Sequence, residues 1–98
     1  MTRPAIHPGE ILRDELEELG STPTEFARQI AVPPNRISQI IGGRRSITGD
    51  TALRFGHWFG NSPEFWLNVQ RRSDLWEAMH SPRERERIKR ARPLGAAA

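Results

Sequence analysis

The stretch of sequence that decides the fold runs from residue 22 to residue 48 and reads TPTEFARQIAVPPNRISQIIGGRRSIT. It begins with Thr22, a proline and then Glu25 three residues after the threonine. A hydroxyl N-cap, a proline in the first helical position and a glutamate in the third predict a helix start, because together they satisfy N–H groups that the first turn leaves unpaired. Phe26 and Ile30 then lie on one apolar flank of a short helix.

A tight turn and a second helix follow. Pro33 and Pro34 end the first helix, because proline lacks an N–H group and disfavours the helical conformation in the residue before it. Pro34 can nevertheless open the next helix, which buries Ile37, Ile40 and Ile41 and ends at the glycine pair 42–43. The stretch therefore predicts a helix-turn-helix.

The exposed face of the second helix of this motif is polar. At 100° per residue, Asn35 and Gln39 point away from the isoleucines, and Arg36 and Ser38 lie on the flanks. This face carries amides, a hydroxyl and a guanidinium but no acid. Such a face suits the base edges of a DNA major groove.

Size and composition restrict the class of protein. The chain has 98 residues, enough for one domain, and it lacks a sustained alternating strand pattern. We expect an all-α fold, with residues 1–80 as the domain and residues 81–98 as a basic tail that is mobile or partly helical. The sequence has no cysteine and no apolar run of about 18 residues, so we expect a cytoplasmic protein without disulfides and without a membrane partner.

The positive charge is unevenly distributed. Residues 1–80 contain nine arginines against ten acids, a net charge of −1, and residues 81–98 contain six basic residues against two acids, a net charge of +4. Within the first part, the segment from Arg28 to Arg54 contains five arginines and only one acid, Asp50. Basic charge concentrated on a helix-turn-helix indicates contact with phosphates. The basic tail is equally consistent with a solubilising segment.

The first helix, predicted from Pro8 or Gly9 to Leu19, has an apolar stripe and an opposite acidic face. The acidic face consists of Glu10, Asp14, Glu17 and Glu18. Two interpretations stay open: a solvated surface, or a docking surface for a basic partner.

Two further helices follow the arginine pair. Thr48 is the predicted cap of the fourth helix, which ends at Gly60 and contains Gly56, where we expect close helix packing. The fifth helix starts at Pro63 and continues to Met79, and its apolar residues occupy more than one face. A second copy of the chain is expected to bury the apolar residues that the domain itself cannot bury. We therefore predict a homodimer through these residues: Phe65, Trp66, Leu67, Val69, Leu75 and Trp76.

Catalytic and metal-binding signatures are missing from the sequence. His7, His57 and His80 are dispersed, and no zinc-protease motif, phosphate loop or nucleophile elbow occurs. We expect His7 to cap the first helix, His57 to face outward and His80 to contact the last carbonyls of the fifth helix. The prediction is a protein that is not an enzyme and takes no metal or cofactor.

Motifs within and beyond the helix-turn-helix resemble one family. Residues 6–12 read IHPGEIL, residues 32–37 read VPPNRI, and residues 59–70 read FGNSPEFWLNVQ. In these the chain is similar to HigA-type (VapI-like) antitoxins of bacterial toxin–antitoxin modules, within the phage-repressor-like (XRE, Cro/C1) helix-turn-helix group. The resemblance covers residues 5–80 and implies a five-helix, phage-repressor-like domain. One departure is Ala31, since such turns often have glycine there to adopt a positive φ.

The resemblance also implies how DNA would be bound. The third helix would enter the major groove of double-stranded DNA, and a dimer would place two such helices on a palindromic operator. The residues expected at the bases are Asn35, Arg36, Ser38 and Gln39, with Asn35 and Gln39 able to make bidentate bonds to adenine. The residues expected at the DNA backbone are Thr22, Thr24, Pro34, Arg44 and Arg45. For Asn35, capping of the third helix is the alternative.

Three functions remain open at this point. The first is an antitoxin that represses its own operon and neutralises a RelE/HigB-like RNase toxin, with the acidic face of the first helix against the basic toxin. The second is a stand-alone XRE-family repressor without a toxin partner. The third is a protein-interaction module that does not bind DNA.

Overall fold

The computed structural model describes residues 5–95, and all regular structure in that range is helical. Six helices follow in order: α1 Pro8–Leu19, α2 Pro23–Gln29, α3 Pro34–Ile41, α4 Gly49–Phe59, α5 Pro63–His80 and α6 Pro82–Lys89. The predicted all-α helix-turn-helix architecture is confirmed. Part of the predicted basic tail forms the sixth helix, and residues 96–98 of that tail lie outside the described residues.

The starts of α1 and α2 follow the predicted caps, whereas Thr48 occupies the N-cap position of α4 without a side-chain cap bond. The Thr22 hydroxyl accepts from the Glu25 N–H at 3.1 Å, and the Glu25 carboxylate accepts from the Thr22 N–H at 3.4 Å. His7 caps α1, because its Nδ1 accepts from the Gly9 N–H at 2.9 Å while the Glu10 carboxylate accepts from the His7 N–H at 2.9 Å. Glu10, assigned to the acidic face, therefore also serves the α1 cap.

The core is built around aromatic rings from α2, α4 and α5. Phe26 is fully buried, and its ring centroid lies 5.5 Å from that of Phe55 and 4.9 Å from that of Trp58. Trp66 completes the aromatic cluster, with its ring centroid 5.0 Å from that of Phe55. Its indole N–H donates to the Asn61 side chain at 3.0 Å. Ring pairs at these separations add to the stabilisation that burial alone provides.

The prediction that Trp66 and Val69 contact a second copy of the chain is wrong. Trp66 is 1% exposed and Val69 is 9% exposed, so the chain's own core already covers both. The helical periodicity of α5 identifies apolar faces but not which of them packs on the rest of the chain. The face that carries Trp66 and Val69 packs inward, and Phe65 remains exposed.

Two glycines allow close backbone approaches. A Cβ on Gly9 would lie 2.0 Å from the carbonyl oxygen of Ile40, so α1 packs directly on the backbone of α3. A Cβ on Gly56 would lie 2.7 Å from the carbonyl oxygen of Asn61, which confirms the predicted close packing at this position. Both approaches exclude any larger residue without a backbone shift.

The C-terminal end of the chain projects from the core. No residue after Ser73 is buried within the described range, and we define residues 74–89 as the C-terminal arm. The molecule measures 58 × 27 × 22 Å with a radius of gyration of 16.8 Å. A compact chain of this length would have a radius of gyration of about 12–13 Å. The arm accounts for the elongation.

Residues 5–95 contain neither a membrane-spanning helix nor a cluster of metal ligands. No helix in this range combines the length and apolar character that crossing a membrane requires. Groups of three or more His, Asp or Glu side chains placed to hold a metal ion do not occur there either.

Ala31 lies in the turn of the helix-turn-helix with a positive φ of 58°. The Val32 N–H donates to the Ala27 carbonyl at 3.0 Å, and the Ala31 N–H donates to the Arg28 carbonyl at 3.3 Å. These two bonds form a Schellman motif, in which glycine normally occupies the left-handed position. The chain therefore keeps the usual turn geometry in spite of the alanine.

We expect Ala31→Gly to stabilise the protein by about 0.5–1 kcal/mol. Relief of the left-handed strain, about 1–2 kcal/mol, outweighs the extra flexibility of the unfolded chain, about 0.4–1 kcal/mol. A thermal melt followed by circular dichroism would show a midpoint higher by about 3–6 °C. The reciprocal control is Gly20→Ala, at a φ of 69° with open space around its Cβ position, which should lower the midpoint. A lower midpoint for Ala31→Gly would contradict the assignment of strain.

Candidate nucleic-acid interface

Helix α3 presents the predicted polar face to solvent. Ile37 and Ile40 are fully buried. Asn35 and Ser38 are exposed, and Gln39 is half-buried. The burial pattern therefore leaves on the surface the amides and hydroxyl that base edges would meet.

Asn35 does not cap α3. The N-cap position is Pro33, α3 has no side-chain cap, and Pro34 occupies the first helical position. Asn35 lies in the first turn with its side chain exposed. The capping alternative is therefore wrong, and the Asn35 amide is available to a ligand at the N-terminal end of the helix.

Arg45 contacts α3 itself. Its guanidinium Nη1 donates to the Gln39 Oε1 at 3.0 Å. This bond uses one of the two lone pairs of the Gln39 Oε1 and leaves the other lone pair and the amide NH₂ for further bonds. The bidentate bond to adenine predicted for Gln39 would share that oxygen with Arg45.

The face of α3 itself carries no acid, but α4 places Asp50 beside it. The Asp50 carboxylate lies 3.3 Å from the Arg36 guanidinium and 3.5 Å from that of Arg54. A hydrogen bond of 2.5 Å from the Thr48 hydroxyl is the largest influence that lowers the pKa of Asp50, and the two arginines lower it further. Asp50 therefore stays charged at neutral pH and holds Arg36 in an ion pair.

Arg54 links α4 to the end of α2. Its Nε donates to the Ile30 carbonyl at 3.2 Å, and its Nη1 donates to the Asp50 carbonyl at 3.3 Å. Arginine near a helix C-terminus satisfies carbonyls that the last turn leaves unpaired. Sequence reasoning counted Arg54 only as positive charge and missed this role.

The loop with the arginine pair is held at both of its ends. At its start, the Arg44 N–H donates to the Gln39 carbonyl at 2.8 Å and Gly43 has a φ of 74°, a second Schellman motif. At its end, the Ile47 N–H donates to the Gln70 side chain at 2.8 Å. The predicted glycine stop of α3 is confirmed. Gln70 was missed, although a glutamine directly after Val69 on the core side of α5 was a usable signal.

The other residues predicted at the DNA backbone are on the surface. Thr22, Thr24, Pro34 and Arg44 are all exposed. The N–H and the hydroxyl oxygen of Thr22 are engaged with Glu25, which leaves the hydroxyl hydrogen for a phosphate. Arg44 follows α3 after the glycine pair 42–43.

The two predicted protein-binding surfaces differ in composition. On α1, Asp14, Glu17 and Glu18 are exposed, and within the described range only Asp14 of these has a basic neighbour in contact, Arg13 at 3.6 Å. On α5, Leu67 and Trp76 are half-buried and Leu75 is exposed. Beyond them in the arm, Met79 and Ile88 are also exposed.

The histidines occupy the positions expected of them. His57 is exposed on α4. The His80 Nδ1 lies 2.8 Å from the Trp76 carbonyl, and its ring stacks on the Trp76 indole with centroids 4.0 Å apart. The predicted contact of His80 with the end of α5 is confirmed.

Comparison with known proteins places the chain among antitoxins. No protein-family profile matches it. It is 48% identical over 73 residues to virulence-associated protein I of Dichelobacter nodosus, which covers 74% of this chain and 68% of that protein. It is 37% identical over 93 residues to antitoxin HigA-1 of Vibrio cholerae, which covers 94% of this chain and 86% of that protein. The structure of Pseudomonas aeruginosa antitoxin HigA with the higBA promoter superimposes with a TM-score of 0.79 at 36% identity, covering 94% of this chain and 99% of that one.

Proposed function

The chain belongs to the HigA family of antitoxins within the XRE-type helix-turn-helix proteins, and on that premise we propose that it is a DNA-binding antitoxin that represses its own operon. The observation that carries the proposal is the exposed amide face of α3 next to a loop with two arginines held at both ends. The relative solved with promoter DNA supports the same function.

In the proposed complex α3 lies in the major groove with its N-terminal end toward the bases. Asn35, Ser38 and Gln39 would contact base edges, and Arg44 would contact the phosphate backbone beyond the helix. The Thr22 and Thr24 hydroxyls and the start of α3 at Pro34 would follow the backbone on the other side. These roles are assigned from exposure and position on the helix-turn-helix.

Arg36 and Arg45 would exchange partners to contact DNA. Arg36 would leave Asp50 for a guanine or a phosphate, and Arg45 would leave Gln39. Each exchange replaces an intramolecular bond by one to DNA, so its net contribution to affinity is smaller than that of an unpaired arginine. Where Arg36 is not correctly placed, the Asp50 carboxylate would repel nearby phosphates. This repulsion would disfavour loose association relative to the correctly docked complex.

We expect base contacts and backbone contacts to separate in a binding assay. Asn35→Ala should relax discrimination at one operator position by about 1–3 kcal/mol, because a bidentate amide contact is lost. Arg44→Ala should weaken binding to all sequences about equally and reduce the salt slope by about one. Fluorescence anisotropy against the operator and single-base variants over a salt series would measure both. Uniform weakening by Asn35→Ala would contradict its role at the bases.

We further propose that the chain dimerises through the C-terminal arm. Leu75, Met79 and Ile88 are 61%, 59% and 60% exposed, and with Ala78 they line a groove of about 400 Å³ between α5 and α6. Exposed apolar side chains clustered on one projecting element favour burial against a partner surface. A two-fold pairing of arms would place two α3 helices on a palindromic operator with half-sites about 34 Å apart.

Leu75→Asp should convert the dimer to a monomer, because a carboxylate in the apolar interface would be desolvated without a partner. Analytical ultracentrifugation at micromolar concentration would measure the mass. Leu19→Asp is the matched control, since Leu19 is exposed to 58% on α1, outside the arm, and its substitution should leave the mass unchanged. A dimeric Leu75→Asp protein would place the interface elsewhere.

The partner neutralised by this antitoxin is proposed to be a basic RelE/HigB-like RNase. RNA-cleaving toxins carry positive charge, and the exposed carboxylates of Asp14, Glu17 and Glu18 offer a complementary surface on α1. Some relatives are named only as transcriptional regulators, which keeps a stand-alone repressor as the second candidate. A neighbouring reading frame for a small basic protein would distinguish the two.

Reversal of Asp14, Glu17 and Glu18 to lysine should weaken binding to that neighbouring protein at least about tenfold, with a smaller effect at high salt. Isothermal titration calorimetry at two ionic strengths would measure the change. Glu10 is left intact because it caps α1. Reversal of Glu84 and Glu86 on α6 is the charge control. Unchanged binding by the α1 variant would exclude this face as the toxin site.

A further inference from the structure

Gln70 is a buried polar residue that joins two distant parts of the chain. It is 6% exposed on α5, and its Oε1 accepts from the Ile47 N–H at 2.8 Å. Its Nε2 donates to the Asp74 Oδ1 at 2.8 Å, one turn further along α5. Ile47 is itself 4% exposed, so this hydrogen bond lies below the surface of the domain.

The two bonds of Gln70 determine the orientation of its amide. A carboxylate can only accept hydrogen bonds, so the amide NH₂ has to face Asp74. The amide oxygen is thereby directed to the Ile47 N–H. Asp74 and Gln70 act as one unit, with Asp74 orienting the group that Gln70 presents.

The loop between α3 and α4 depends on this unit. Its first end is held by the Schellman motif at Gly43, and its second end is held at Ile47 by Gln70. Arg44 and Arg45 lie between the two fixed points. Under the loop lies a polar cavity of about 120 Å³ that Gln70 and Asp74 line together with the loop residues. Arg44 and Arg45 therefore do not rest on apolar side chains, whereas the Ile47 side chain at the end of the loop packs in the hydrophobic core.

We propose that Gln70, oriented by Asp74, is a positioning residue for operator binding. It touches no DNA; it holds the end of the loop so that Arg44 and Arg45 stay aligned with α3 and the phosphate backbone. Because Gln70 lies on the helix that continues into the C-terminal arm, it also ties the loop to the arm. The inference rests on the proposed DNA-binding function and assigns that function a residue outside the helix-turn-helix.

The test compares operator affinity and salt slope for four proteins: wild type, Gln70→Leu, Gln70→Glu and Gln70→Glu with Asp74→Asn. Gln70→Leu removes the acceptor for the Ile47 N–H, and Gln70→Glu places two carboxylates side by side. The double variant keeps the net charge and rebuilds both bonds with roles exchanged, since the introduced glutamate can accept from the Ile47 N–H while the introduced asparagine donates to that glutamate. All affinities are measured at a temperature where circular dichroism shows each protein fully helical.

We expect Gln70→Leu and Gln70→Glu to bind the operator about tenfold more weakly with a salt slope lower by about one, because aligned phosphate contacts are lost. The double variant should recover both values. Hydrogen exchange at the Ile47 amide should be faster in the single variants and slow again in the double variant. Ser73→Ala, at another buried polar position of α5, is the control and should bind as the wild type does.

The outcomes separate the inference from the function on which it rests. Wild-type protein without salt-dependent operator binding would overturn both. Wild-type binding with unchanged affinity and slope in the single variants would overturn only the role of Gln70. Weak binding in the single variants without recovery in the double variant would also overturn it, because a general loss of packing would then explain the defect. If Gln70→Leu fails to fold, the comparison of Gln70→Glu with the double variant is the test of the inference.

Discussion

Helix α3 has eight residues, and a helix of this length is not stable in water by itself. Its geometry depends on what surrounds it. Ile37 and Ile40 bury one side, the Schellman motif at Gly43 satisfies its last carbonyls, and α1 packs on its backbone at Gly9. The position of the polar face that would read DNA is therefore set by the packing of the opposite face. A larger residue at position 9 would force α1 and α3 apart.

Local signals in the sequence were sufficient for most of the fold. The caps at His7 and Thr22 and the stop at Gly43 follow from hydrogen bonds within a few residues, and the bounds of the helices follow from them. Helical periodicity also identified Ile37 and Ile40 as core. The resemblance to HigA-type antitoxins agrees with the family to which the chain belongs.

These local signals could not predict the long-range contacts. Periodicity showed that α5 has more than one apolar face, but it could not show that Trp66 and Val69 pack inward, since this depends on where α4 lies. The same holds for Asp50 beside Arg36, which are 14 residues apart, and for Gln70 at Ile47, 23 residues apart. Polar residues that form such bonds look like ordinary surface residues in a sequence.

The C-terminal arm can change the geometry of a dimer without changing the buried core of the domain. No described residue after Ser73 is buried, so a residue added to or removed from the later turns of α5 would leave the core intact. Each such residue would nevertheless move everything beyond it by about 1.5 Å along the helix and rotate it by about 100°. In a dimer joined through the arms, the distance and relative rotation of the two recognition helices would change with the length of one exposed helix. Operator spacing could then diverge among related proteins while the domain that reads each half-site stays the same.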